Sequence, residues 1–189
     1  PYGVDKAEWD SLFPKAAAWS LFRSYLSNGA NVLILPGEAD MPIKASILFA
    51  VFDYQWVLVW YKANAMQFGK TGFTVHNLIW WLSVGKPAQR PKCKDVIADP
   101  IVPADNPYGH PTPKPVRLIR ELTEQFCPAS GIVLEPFAGS GTQFVAAEQT
   151  GRLCYGIELS PEHVAATLER LTALGLTPQR EIPTPPLKK

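Results

Sequence analysis

The apolar positions of this chain fall into short blocks that change period along its length. Asn31-Val-Leu-Ile-Leu35 is an unbroken apolar run closed by Pro36-Gly37. A run that short, with no polar alternation, predicts a strand buried on both faces, as in a parallel sheet. Gln55 to Lys62 and Asn77 to Val84 are rich in Trp, Val, Ile and Leu and predict two further strands, joined by segment 63–76. Helices are predicted from about Ser11 to Asn28, with Pro14 near the start and Gly29 just past the end, and from Pro42 to Phe52. Residues 87–115 hold eight prolines, which donate no ladder hydrogen bond and continue no helix, so this stretch reads as extended loop. Val116, Ile119, Leu122 and Phe126 then share one helical face, while Arg117/Glu121 and Arg120/Glu124 pair at i, i+4 on the other.

A compact strand–turn–helix–strand–helix unit follows. Ile132–Leu134 is the first strand, Thr142 to Thr150 a helix closed by Gly151, and Leu153 to Ile157 the second strand. The last helix has Ser160 as N-cap, Pro161 at its first position, apolar Val164, Leu168, Leu171 and Leu174, and Gly175 at its end. The tail Thr177–Lys189, with four prolines, is expected to be disordered. There is no internal repeat. Strands alternating with helices imply an α/β sandwich with a mainly parallel sheet.

Composition narrows the class. At 189 residues, 47% hydrophobic and 19% charged, the chain is long enough for one domain with a sizeable core. The net charge of +1 excludes a polybasic binder by bulk charge. It is unevenly spread, however. Lys62, Lys70, Lys86, Arg90, Lys92 and Lys94 stand in a stretch without acidic residues, a local +6 that leaves about −5 elsewhere. Cys93, Cys127 and Cys154 form no CxxC, so neither a zinc knuckle nor a redox pair is encoded and no metal is expected. No signal peptide is visible, and the apolar run Ala45 to Tyr61 carries Asp53 and Gln55 and falls short of a membrane span. A cytoplasmic location without membrane contact is the expectation.

The candidate chemistry lies in Glu135-Pro-Phe-Ala-Gly139-Ser-Gly141-Thr142, between a strand and a helix. Glycines in such a turn let backbone approach a ligand, and the helix N-terminus offers free N–H groups. A nicotinamide fingerprint wants a third glycine where Phe144 stands, and Glu135 would be unwelcome beside a pyrophosphate. Glu135 suits a ligand with a cationic end. Glu158, closing the next strand in Gly156-Ile-Glu158, is placed to take both hydroxyls of a ribose. An adenosine-type cofactor without pyrophosphate meets both demands, and S-adenosylmethionine is such a cofactor.

These segments, EPFAGSGT and YGIELSP, resemble motifs I and II of the DNA amino-methyltransferases, which methylate adenine N6 or cytosine N4. His110-Pro-Thr-Pro-Lys114-Pro115 is similar to the motif preceding the cofactor strand in the β-ordered members, with Pro113 where Gln is usual. Gly72 to Lys86 resembles the family's hairpin strand, with Asn77 in place of a Glu. The resemblance implies a Rossmann-like, S-adenosylmethionine-dependent methyltransferase sandwich with a mostly parallel sheet in circular order. It places the catalytic domain at 1–176, with a short target-recognition region at 87–109. Cofactor-binding residues would be His110, Lys114, Glu135, Phe137, Gly139, Ser140, Gly141, Thr142 and Glu158. Lys114 has the clearest physical role, since its ammonium can pair with the methionine carboxylate.

The family's reacting loop reads Asp/Ser/Asn-Pro-Pro-Tyr/Phe. Its acceptors bind the hydrogens of the exocyclic amine, and its aromatic ring stacks on the flipped base. Pro1-Tyr2-Gly3, followed by Trp9-Asp10, resembles the second half of this motif, which makes Pro1 and Tyr2 the catalytic candidates. By the same resemblance the chain starts inside the motif and lacks the family's third and fourth strands, so unpaired strand edges and no activity are expected of these residues alone. Double-stranded DNA is the expected partner, its phosphates met by Lys70, Lys86, Arg90, Lys92 and Lys94. So short a recognition region implies a short target site, or help from a homodimer or partner subunit. Methylation of an RNA amine, or a catalytically incomplete remnant that binds DNA or cofactor, are the alternatives.

Overall fold

The computed structural model describes residues 13–65, 67–69, 72–89, 91–103 and 112–179. Five helices and eight strands follow in the order α1 (Ala16–Ser24), β1 (Asn31–Ile34), α2 (Met41–Phe49), β2 (Asp53–Tyr61), β3 (Gln67–Gly69), β4 (Gly72–Thr74), β5 (His76–Ser83), β6 (Val96–Ala98), α3 (Val116–Phe126), β7 (Ile132–Glu135), α4 (Thr142–Gln149), β8 (Leu153–Gly156) and α5 (Pro161–Ala173). Every strand and helix expected from the apolar pattern is present, within a few residues at its ends.

The α/β sandwich stands, but its sheet is mixed. One four-stranded sheet runs β1-β5-β2-β6, and a separate two-stranded sheet pairs β7 with β8. β5 is antiparallel to both β1 and β2, whereas β2–β6 and β7–β8 are parallel. The mostly parallel expectation came from apolar runs on both faces, and those are explained by two covered faces whatever the strand direction. On one face Leu58, Trp60, Ile79 and Ile97 pack with Leu118, Ile119, Leu122 and Phe126 of α3 and Ala146 of α4. On the other, Trp80, Leu82 and Val84 pack with Trp19 of α1, Leu48 of α2 and Phe52. Residues of opposite parity along β5 serve opposite cores, as a period of two requires.

Three strands lie outside the expected set. β3 and β4 form a small hairpin inside segment 63–76. β6 sits within the proline-rich stretch, in the proline-free run 92–99 between Pro91 and Pro100, and pairs with Val59–Tyr61. β1 pairs only with β5 and β7 only with β8 among the described residues, so each leaves one edge open. Residues 177–179 are exposed and irregular; the rest of the expected tail lies outside the described residues.

Candidate cofactor site

The parallel ladder of β7 and β8 sets Glu135 opposite Gly156 and delivers two carboxylates to one end of the sheet. The Glu135 carboxylate Oε1 accepts the Phe137 N–H at 2.8 Å. Burial pushes this carboxyl above its usual range, countered by the Phe137 N–H, the Gln143 side chain and the Lys114 charge, while Glu158 pushes it further up. Neighbouring Cys154 is pushed up to about 12 by burial and by Glu135, so it carries no reactive thiolate.

Glu158 clamps the turn itself. Its Oε2 accepts the Gly139 N–H at 2.7 Å and its Oε1 the Ser160 N–H at 2.8 Å. A carboxylate oxygen has two acceptor positions, so each keeps one for a hydroxyl. His163 Nδ1 lies 3.9 Å from Oε1.

The glycines serve packing as much as access. Gly139 and Gly141 have φ of 53° and 73°, a left-handed conformation other residues rarely hold. A Cβ on Gly141 would meet Thr167 Cγ2 at 2.5 Å, so α5 occupies that space. Thr167 donates to the Gly139 carbonyl at 2.9 Å, and Arg170 donates to the Ser140 carbonyl at 2.9 Å. Ser140 and Thr142 are themselves buried. The Thr142 hydroxyl donates to the Lys114 carbonyl at 3.1 Å and thereby fastens the segment before α3 onto the turn. Phe137 remains exposed, its ring 5.8 Å from Trp19 and 6.1 Å from Phe22 of α1.

Glu135, Phe137, Gly139, Ser140, Gly141, Thr142, Glu158 and Lys114 are thus gathered in one place. His110, Pro1 and Tyr2 lie outside the described residues. Gln143, Thr167 and Arg170, which hold this place together, were not among the sequence candidates. Gln143 follows the turn directly, whereas Thr167 and Arg170 come from α5, which no local pattern ties to the turn. Lys62, at the end of β2, was seen only as part of a charge run. It is buried, and Lys114 is near enough to depress its ammonium.

The basic candidates lie elsewhere. Lys86 follows β5, beside Gly85, whose N–H donates to Asp53 at the start of β2. The Lys92 N–H donates to Gln125 near the C-terminal end of α3, and Lys94 precedes β6. Lys86, Lys92 and Lys94 are exposed, whereas Lys114 stands at the other end of α3, an 11-residue helix about 16 Å long. Lys70 and Arg90 lie outside the described residues. Among the described residues no three His, Cys, Asp or Glu side chains form a metal cluster, and no helix is long and apolar enough to cross a membrane.

The turn and sheet define an α/β nucleotide-type cofactor fold, and comparison with known proteins sharpens that class. The family model described as DNA methylase, N6_N4_Mtase, matches residues 50–169. The chain belongs to the N6/N4 DNA methylase family. YubD of Escherichia coli (strain K12), which carries a methylase name, is 39% identical over 119 residues, 62% of this chain and 50% of that protein. The type II methyltransferase M.ScaI of Streptomyces caespitosus is 34% identical over 65 residues, 34% of this chain and 21% of its own length. The chain therefore spans half or less of these two relatives. The fold is that of M1.HpyAVI solved with S-adenosylmethionine (TM-score 0.70, 21% identity, 82% of this chain and 81% of that one). It is also that of the cytosine-N4-specific PvuII DNA methyltransferase (TM-score 0.65, 17% identity, 87% of this chain and 74% of that one).

Proposed function

We propose that the protein containing these residues transfers the methyl group of S-adenosylmethionine to an exocyclic amine, adenine N6 or cytosine N4, in double-stranded DNA. The observation that carries this reading is the pair of strand-end carboxylates. Glu135 is desolvated and favours a ligand bearing positive charge, and Glu158 offers two spare acceptor positions, the pattern a ribose diol asks for. This donor set fits the cofactor. When bound, the cofactor supplies an electrophilic methyl on a sulfonium, and the protein's part is binding and orientation.

Glu158 would hold the ribose while its other lone pairs keep the turn closed. Glu135 would face the cationic end, Lys114 the carboxylate, and the exposed ring of Phe137 would flank the adenosine. Pro1 and Tyr2 would supply a carbonyl acceptor for the amine and a ring against the base. We further propose residues 1–176 as the catalytic domain, with 87–109 as the target-recognition region. Lys70, Lys86, Arg90, Lys92 and Lys94 would meet phosphate, and a homodimer or partner subunit would extend the recognition surface. The distance between Lys92 and Lys114 along α3 favours DNA contact flanking the reaction centre over contact inside it.

The test is mass analysis of nucleosides after incubating DNA and RNA with the natural full-length protein and methyl-labelled cofactor. Label in N6-methyladenine or N4-methylcytosine of DNA is expected. Label confined to RNA, or none, overturns the reading.

A further inference from the structure

Lys62 stands where β2 gives way to the β3–β4 hairpin. Its N–H donates to the Val75 carbonyl at 2.7 Å and its carbonyl accepts from Ala65 at 3.0 Å, so the backbone around it is held from both sides. The residue is only 4% exposed. Yet its ammonium has no hydrogen bond or ion pair among the described residues. Glu38 is near enough to stabilise the charge and Lys114 near enough to oppose it; burial outweighs both and pushes the group below its usual range. The carboxylate of Asp99, just after β6, lies 3.9 Å from Arg117 through its Oδ1 and forms no ion pair with Lys62 among the described residues. Lysines are seldom this buried without a partner, because drawing an ammonium away from water is costly. Such a group is poised for an anion.

Two features decide which anion. The site shares the field of Lys114, whose carbonyl is bonded to the Thr142 hydroxyl beside the Gly-rich turn. And the exposed lysines available to phosphate lie toward the other end of α3. We infer that Lys62 is a second ammonium, beside Lys114, for the carboxylate at the amino-acid end of the cofactor. This assignment rests on the methyltransferase reading and adds a residue to it.

The test compares S-adenosylmethionine with its decarboxylated form by titration calorimetry, on wild type and on Lys62→Met. Methionine keeps the length and apolar stem of the side chain and removes the charge. Wild type should prefer the carboxylated compound by more than tenfold. Lys62→Met should bind it about tenfold more weakly and bind the decarboxylated compound unchanged. Its unliganded melting temperature should equal or exceed that of wild type; should the variant fail to fold, Lys62→Gln takes its place. Equal losses for both compounds, or no loss, overturn the role of Lys62 alone. A wild type that binds neither compound overturns both this role and the methyltransferase reading.

Discussion

At the scale of single residues, the site is a set of carboxylates whose surroundings pull them in different directions. Burial holds Glu135 above the ordinary carboxylate range. The folded protein therefore keeps this proton to a higher pH than the unfolded chain does. Stability contributed by the neutral form is fully present below about pH 4 and is lost as pH rises through the higher folded value. Glu135→Gln should flatten that fall, measured as melting temperature against pH, and should weaken cofactor binding about tenfold, since the cationic end loses its counter-charge. Glu158 differs, because both its oxygens already hold backbone N–H groups. Hydrogen bonds to a charged group contribute roughly 1.5–3 kcal/mol each, so Glu158→Ala should destabilise the protein by about 2 kcal/mol or more by denaturant titration, with or without cofactor. An unchanged midpoint would remove the clamp.

At the scale of elements, the Gly-rich turn is positioned by α5 and α3 rather than by its own sequence. Gly141→Ala meets Thr167 and carries a left-handed φ, so a loss of about 2 kcal/mol is expected. Adding Thr167→Ser, which removes the Cγ2 methyl and keeps the hydroxyl bonded to Gly139, should restore part of that loss and leave about 1 kcal/mol or more for the backbone. Leu118 of α3 is fully buried between the sheet and α4, and Leu118→Ala should cost about 3 kcal/mol by the same measurement. These contacts also show what could be read from the chain beforehand. Glu135, Glu158 and the two glycines were readable because strand ends and turn chemistry are local. The partners of the turn, Thr167 and Arg170, depend on how α5 returns to the sheet, and no local pattern reports that. β6 was hidden because a three-residue strand, preceded by Lys92, Lys94 and Asp95 and followed by Pro100, carries little periodic signal. Strand direction was hidden because a run covered on both faces looks alike in parallel and antiparallel sheets. Lys62 illustrates the limit most plainly: its identity suggested surface charge, and only the folded chain shows the residue to be buried.

At the scale of the whole molecule, charge and apolar surface are both unevenly distributed. Lys92 and Lys94 stand toward the far end of α3 from Lys114. Replacing both by Ala should reduce the slope of log affinity for DNA against log salt by about 2, while leaving cofactor affinity unchanged. A cofactor effect would mean the two regions are not separate. The β7–β8 sheet leaves Ile132, Leu153, Tyr155 and Ile157 more than 40% exposed, and one edge each of β1 and β7 is open. Because, among the described residues, no ladder hydrogen bond joins that pair to the four-stranded sheet, their backbone network falls into two units linked through helices and side chains. Such units open independently, each with its own free energy. Amides of β7 and β8 should therefore exchange with deuterium sooner than those of β2 and β5. Cofactor bound at Glu135 and Glu158 should slow exchange in the smaller unit first, so that ligand occupancy is registered as local rigidity before the larger sheet responds.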